Sequence, residues 1–144
     1  MENRNGLIVD LRIAPATGTA ERETARDMLG ELPGKRRHTV GGDKGYDTRQ
    51  FVAECREMGV TPHVAQNISP NRRSAVDERA TRHAGYALSQ RIRKRVEEIF
   101  GWTKTIGGFR KTRYRGEART SLASYLVGAA YNLLRMAKLL AQPT

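Results

Sequence analysis

The chain has 144 residues, of which 38% are hydrophobic, so it is long enough to bury the core of one domain. It carries 26 Lys and Arg against 15 Asp and Glu, a formal net charge of +11 that predicts a polyanionic partner, nucleic acid first. The single cysteine, Cys55, excludes an internal disulfide, and no second Cys or His stands at zinc-ligand spacing from it. We find neither a secretory leader nor an uncharged apolar run of membrane-spanning length, so we expect a cytoplasmic protein.

The positive charge is concentrated in residues 71–119. This range holds 14 Lys and Arg against five Asp and Glu, whereas the remaining residues hold 12 against 10. Such a concentration favours a localised contact with nucleic-acid phosphates over a charge that only keeps the protein in solution.

The first half of the chain predicts alternating strands and helices. The run LIVDLRIA at 7–14 predicts a strand, and ERETARDMLGEL at 21–32 predicts a helix capped by Thr19. A second strand is expected from His38 to Gly41, followed by the turn GDKGYD and a helix with Asp47 as its cap.

That second helix places Cys55 on an apolar face, as a core thiol, and ends at Gly59. The sequence VTPHVA then predicts a third strand, at a sheet edge because of Pro62. The alternation predicts right-handed βαβ crossovers in a largely parallel sheet.

The second half of the chain predicts one connection and two helices. Residues 66–87 are polar, rich in arginine and broken by Pro70 and Gly85, which predicts an extended, mobile connection. Helices are expected from about Leu88 to Lys104 and from about Ala118 to Leu140. The basic, glycine-rich segment TIGGFRKTRYRG joins them.

Two acidic residues are candidates for chemistry. Asp43 follows the second predicted strand in a glycine-rich turn, at the strand end where parallel sheets bind ligands, although such an acid is often only a turn former. Glu97 shares one stripe of the predicted helix with Arg93 and Lys104, where a solvated ion pair is the simpler interpretation. Carboxylates in these two places would suit Mg²⁺, which takes one or two carboxylates together with phosphate oxygens and water.

Two motifs make the sequence similar to a known family. GDKGYDT at 42–48 and RKRVEEIFGWTKT at 93–105 resemble segments of the insertion-sequence DDE transposases, in the branch with a Tyr-x2-Arg-x3-Glu-x6-Lys signature. The resemblance extends to the shorter segments MENRNGL, GTAERETA, VTPHVAQN, FRKTRYRG and AAYNLLRMAKLL, and so spans nearly the whole chain. It places the second catalytic aspartate on Asp43 and the catalytic glutamate on Glu97, because Glu98 fits neither signature count. Gln90 stands where the signature has Tyr, and Tyr86 lies four residues too early to replace it.

The resemblance implies a fold and a truncation. The fold would be α/β, a ribonuclease-H-like mixed sheet with flanking helices, forming one DDE catalytic domain over residues 1–144 that lacks its N-terminal part. The family's first catalytic aspartate would lie upstream of MENRNG, and Asp10 does not occupy its place. We therefore expect this chain alone to bind DNA without cutting it.

The implied activity is DNA transposition by metal-dependent phosphoryl transfer at transposon ends. Asp43 and Glu97 would hold Mg²⁺ or Mn²⁺, and a homodimer in the transposition complex is an expected assembly. Trp102 would stack a displaced base or, equally, pack at the rim of the core. The residues expected to contact DNA are Arg93, Lys104, Trp102, Arg110, Lys111, Arg113 and Arg115.

Two alternatives compete with the enzyme. One is a noncatalytic basic nucleic-acid-binding module, in which the charges of residues 110–115 bind phosphates or are simply solvated. The other is a basic structural protein of a ribonucleoprotein, which needs no paired carboxylates. No nucleotide cofactor is implied, because the GGDKG turn lacks both the Walker and the GxGxxG pattern.

Overall fold

The computed structural model describes residues 1–34 and 37–141, which form an α/β structure. The chain folds into two compact units: a βαβ unit, Ala16–Arg93, and a helical unit, Met1–Pro15 with Lys94–Thr144. The elements in chain order are α1 (Ala20–Gly30), β1 (His38–Gly42), a short 3-10 helix (Lys44–Tyr46), α2 (Arg49–Glu57), β2 (Val60–Val64), α3 (Glu78–Thr81), α4 (Ala84–Ile92), α5 (Arg95–Thr105) and α6 (Glu117–Leu140). The predicted single domain stays a prediction.

The βαβ unit contains the parallel sheet. β1 and β2 pair in parallel from His38 beside Val60 to Gly42 beside Val64, and α2 lies in the connection between them. The core beneath the sheet includes Val60, Val64 and the fully buried Cys55. The predicted β-α-β segment and the core position of the thiol are thus confirmed.

Asp47 does not cap α2, which corrects the sequence-based prediction. Thr48 is the cap, with its hydroxyl accepting a hydrogen bond from the Phe51 N–H at 3.2 Å. Asp47 is instead only 1% exposed, and its carboxylate accepts hydrogen bonds from the Asn67 N–H at 2.6 Å and the Ala75 N–H at 2.8 Å. Its role is to tie the segment that follows β2 to the segment that follows β1.

The segment 66–87 is more ordered than the predicted extended connection. It contains α3 and the beginning of α4, and two of its apolar side chains, Val76 and Ala80, are buried in the core. The Gln66 side-chain amide donates to the Val76 carbonyl at 3.0 Å, which closes the segment on itself. Buried apolar residues spaced among arginines are the reason that the polar composition was misleading.

The predicted N-terminal strand at 7–14 is wrong: in the described part of the chain this segment has no strand partner. The Asn132 side chain of α6 replaces that partner, because it donates to the Ile8 carbonyl at 2.8 Å and accepts from the Ile8 N–H at 2.9 Å. Gly128 allows the close approach, since a Cβ there would lie 3.2 Å from Leu11. A primary amide thus makes the pair of hydrogen bonds that a neighbouring strand would make.

The predicted helix from Leu88 to Lys104 is two helices, so that prediction is also wrong. α4 ends at Ile92 and α5 begins at Arg95, and the Glu97 N–H bonds the Lys94 carbonyl three residues back, as in a 3-10 turn. Arg93 consequently does not share a helix with Glu97, and the predicted common stripe is reduced to Glu97 and Lys104 within α5.

α6 has nearly the predicted bounds, but small residues form its buried side. Its buried side carries the small residues Thr120, Ser124 and Gly128, whereas the large residues Leu122 and Leu126 are 60% and 65% exposed. No helix among the residues described combines the length and the apolar character needed to cross a bilayer.

Candidate active site and nucleic-acid surface

Asp43 lies at the carboxyl end of the sheet. It directly follows β1 with an extended backbone, and its Oδ1 accepts a hydrogen bond from the Gly45 N–H at 2.7 Å. The side chain is exposed, and Oδ2 has no hydrogen-bond partner within residues 1–34 and 37–141. One carboxylate oxygen is therefore oriented by the turn while the other is available to a ligand.

A tyrosine that the sequence-based reasoning overlooked lies beside Asp43. The Tyr46 side chain packs over Gly42, where an added Cβ would be 3.4 Å from Tyr46 Cβ, Cγ and Cδ2. The Tyr46 hydroxyl donates to Glu21 Oε1 at 3.0 Å. Burial, followed by the hydrogen bond to Glu21, raises the pKa of the Tyr46 phenol well above its ordinary value. Tyr46 therefore stays a neutral donor next to Asp43 throughout the physiological range.

Arg93 is held at the same end of the sheet by α4. Gln90 donates to the His63 carbonyl of β2 at 2.6 Å and accepts from Arg93 Nε at 3.0 Å. The helix runs close to β1, because a Cβ on Gly41 would lie 3.6 Å from Arg93 Cβ. The βαβ unit thus brings two of the predicted site residues, Asp43 and Arg93, to the carboxyl ends of the two strands.

Residue 90, where the family signature has tyrosine, helps to fix α4 to β2, which the sequence does not reveal. Gln90 occupies that position, and Tyr86, one turn earlier on α4, donates from its hydroxyl to the next β2 carbonyl, Val64, at 2.9 Å. Both side chains tie α4 to β2 where the strand ends. The i,i+4 spacing of a tyrosine and a glutamine was the available signal for such a pair.

Glu97 lies in the helical unit, in the first turn of α5, and its side chain is exposed. Lys104 is exposed in the last turn of the same helix, on the same face and about 10 Å further along the axis. Glu98, the residue excluded by the signature spacing, is also exposed in the first turn. The positive end of the helix dipole favours a carboxylate at either position, so spacing alone distinguishes them.

The basic segment between α5 and α6 is exposed. Arg110, Lys111, Arg113 and Arg115 all lie at the surface, and none makes an ion pair within the described residues. Trp102 differs from them, because its half-buried ring packs edge to face on Tyr131 at 5.4 Å. That packing agrees with the second role expected for Trp102, at the rim of the core.

The chemistry of the two candidate carboxylates fits a hard divalent cation. Both offer oxygen donors at exposed positions, as Mg²⁺ and Mn²⁺ require. Within residues 1–34 and 37–141, however, no group of three or more His, Cys, Asp or Glu side chains is placed to hold a metal ion. The Asp10 carboxylate is already engaged, since it accepts from the Leu11 N–H and pairs with Arg12.

Comparison with known proteins identifies the family. No curated protein and no solved structure matches the chain. A family model described as "Transposase DDE domain" matches residues 1–133. Because this match covers most of the chain, from before α1 into α6, together with Asp43 and Glu97, the chain belongs to the transposase DDE domain family.

Proposed function

We propose that the chain acts in DNA transposition, as a ribonuclease-H-like domain that holds Mg²⁺ or Mn²⁺ through Asp43 and Glu97 for phosphoryl transfer at transposon ends. The observation that carries the proposal is that Asp43 Oδ2, at the carboxyl end of β1, has no hydrogen-bond partner among the described residues, with Arg93 held at the same end by Gln90. Ligands of open parallel sheets bind at this end. We assign the chain to the Tyr-Arg-Glu-Lys branch, with Gln90 in the tyrosine position.

Each side chain has a defined task in this proposal. Asp43 and Glu97 supply carboxylate oxygens, and Arg93 and Lys104 bind phosphate oxygens of the strand that is cut. A bound metal ion would activate the attacking water or hydroxyl and stabilise the leaving oxygen. Tyr46 contributes a neutral hydroxyl beside Asp43, which adds no charge that would compete for the cation.

DNA is the substrate in this proposal, and the exposed bases of residues 110–115 bind its backbone. Each phosphate that the protein neutralises makes the slope of log binding constant against log salt concentration steeper by about 0.9. Replacing Arg110, Lys111, Arg113 and Arg115 by Ala should therefore flatten the slope by roughly 3 to 4. A double variant of two exposed bases elsewhere, Arg49→Ala with Lys138→Ala, should leave the slope nearly unchanged. An equal loss in both variants would show diffuse attraction instead of a binding segment.

Metal binding provides the direct test of the active site. We expect Mn²⁺, followed by its electron paramagnetic resonance signal, to bind the full chain and to be released in Asp43→Ala and in Glu97→Ala. Glu98→Ala is the matched control, because Glu98 is exposed in the same helical turn as Glu97. Retention of Mn²⁺ in the first two variants, or its loss in the control, would overturn the assignment.

Strand cleavage separates the enzyme from the noncatalytic nucleic-acid-binding alternative. We expect the chain alone to bind a transposon-end duplex without nicking it, because no third acidic ligand accompanies the two carboxylates within the described residues. Nicking that depends on Mg²⁺ and disappears in Asp43→Ala would contradict this expectation. DNA binding without any Mn²⁺ binding would favour the noncatalytic module.

We further propose that a second copy of the chain covers the exposed face of α6. Leu122, Leu126, Ala129, Leu133, Met136 and Leu140 recur at spacings of four and three residues, the pattern of a helix-pairing seam, and all are exposed. In an antiparallel pair centred on Ala129, Leu126 faces Leu133 and Leu122 faces Met136, while the small central side chains allow close approach.

The size of this surface suits a dimer. With Tyr125 and Leu134, the face presents seven large apolar side chains that are each 40–87% exposed. At roughly 100 Å² apiece they approach the area of about 800 Å² that a standard interface takes from each partner. We expect a dimer by light scattering and a monomer in Leu126→Glu, with Val9→Glu as an exposed apolar control. A wild-type monomer at about 100 μM would refute the pairing.

We infer a cytoplasmic location as well, because a lone thiol stays reduced there.

A further inference from the structure

A cleft lies at the opposite end of the sheet from Asp43. It has a volume of about 550 Å³ and is lined by the first residues of both strands, His38 and Val60, and by neighbouring parts of α1 and α3. Asp43 follows the last residue of β1, five strand residues away, or roughly 16 Å along the strand. The cleft is therefore separate from the proposed metal site although both belong to the βαβ unit.

Positive charge dominates the walls of this cleft. Arg56 and Arg79 both contact one carboxylate, that of Asp77, at 3.0 Å and 2.7 Å. Arg37 is exposed and makes no ion pair with any residue of the described ranges. The three arginines of the lining thus carry three positive charges against the one carboxylate that two of them share, which leaves a net charge of two to attract an anion.

One residue of the cleft lining, His38, has a buried ring nitrogen. His38 Nε2 is buried and has no hydrogen-bond partner within residues 1–34 and 37–141. Buried ring nitrogens of this kind are normally satisfied by protein, water or a ligand. Leu29, Met58 and Ala80 supply apolar wall next to it. A fitting ligand would therefore combine an anionic group with a flat, partly apolar ring that has hydrogen-bonding edges.

We propose that this cleft binds a nucleotide, with its phosphate at Arg37, Arg56 and Arg79 and its base against Met58 and His38. A guanidinium fork matches phosphate oxygens, and a base edge offers both donors and acceptors to an imidazole nitrogen. The same chemistry is present in a free mononucleotide and in one nucleotide of a DNA strand. The site does not depend on Asp43 or Glu97, so its failure leaves the metal proposal unaffected.

The test is a titration of the full chain followed by NMR signals of the His38 ring and the Met58 methyl group. Deoxyadenosine monophosphate should shift both signals, whereas inorganic phosphate or deoxyadenosine alone should bind at least about tenfold more weakly, since each lacks one half of the contact. A short single-stranded oligonucleotide distinguishes the sources: a shift at lower concentration than the mononucleotide indicates a DNA strand, and equal affinity indicates a free nucleotide. Absence of any shift overturns the proposal.

A matched pair of variants keeps the test specific. Arg37→Gln removes an exposed charge that makes no ion pair with residues 1–34 or 37–141, so the fold should persist, and nucleotide affinity should fall roughly five- to tenfold. Arg73→Gln, an exposed arginine of the same unit that does not line the cleft, should bind as the unaltered chain does. Equal affinity in all three proteins, or equal affinity for phosphate and for the nucleotide, would refute a nucleotide site.

Discussion

Replacing the buried Asp47 by Asn should destabilise the chain by about 2 to 4 kcal/mol. The two oxygens of Asp47 accept hydrogen bonds from the backbone N–H groups of Asn67 and Ala75 at 2.6 Å and 2.8 Å, in a residue that is 1% exposed. A hydrogen bond to a charged acceptor contributes about 1.5 to 3 kcal/mol, and an orphaned buried donor costs about 1 to 3 kcal/mol. Asn keeps one acceptor oxygen but turns an N–H₂ group toward the other backbone donor.

Urea unfolding of Asp47→Asn, followed by circular dichroism, measures this loss as a lower midpoint at an unchanged slope. Asp27→Asn is the control, because Asp27 is half-exposed and, among the residues that the structure describes, its carboxylate pairs with the neighbouring Arg26 alone. Its effect should stay below about 0.5 kcal/mol. A shift for Asp47→Asn as small as that of the control would refute the reasoning.

Three further outcomes are expected. Burial raises the pKa of the Cys55 thiol to about 11, so iodoacetamide at pH 8 should label the chain only after unfolding; labelling of the folded chain would contradict the core position. Burial, and then the nearby His83, lowers the pKa of His63, so the unfolded state takes up its proton first and stability should fall as the pH drops below about 6.5. His63→Gln should reduce that fall in urea titrations at pH 7.5 and 5.5, and an identical fall would exclude His63 as a cause. Asn132→Ala should cost about 1 to 3 kcal/mol by the same measurement, against little change in Ser121→Ala, because two hydrogen bonds to Ile8 are lost; equal effects would count against the docking contact.

Local sequence patterns predicted most elements of the βαβ unit. Gly59 ends α2, apolar residues recur on its buried face, and the β-branched run that follows forms β2. These features act over a few residues, so they are visible in the sequence. The same holds for Asp43, whose place after β1 follows from strand length and a glycine-rich turn.

The errors arose where a distant residue decides the structure. The apolar run at 7–14 has the composition of a strand, yet its backbone is satisfied by Asn132, 124 residues beyond Ile8. Asp47 is of a residue type that often caps helices, yet backbone donors 20 and 28 residues later bind its carboxylate. The interruption between α4 and α5 has no proline or glycine to announce it. Long-range contacts override local propensity, and they produce no periodic pattern in the sequence from which they could be predicted.

The two hydrogen bonds between Ile8 and Asn132 also have a consequence for folding during synthesis. The βαβ unit is one continuous stretch, Ala16–Arg93, so its contacts can form soon after those residues leave the ribosome. Residues 1–15 emerge earlier but have to wait for α6, because the side chain that docks them, Asn132, lies 124 residues beyond Ile8. Closing so long a loop carries an entropic cost. That cost falls once the intervening βαβ unit has folded, because less flexible chain then separates the two ends. Residues 1–15 therefore dock only after α6 has been synthesised.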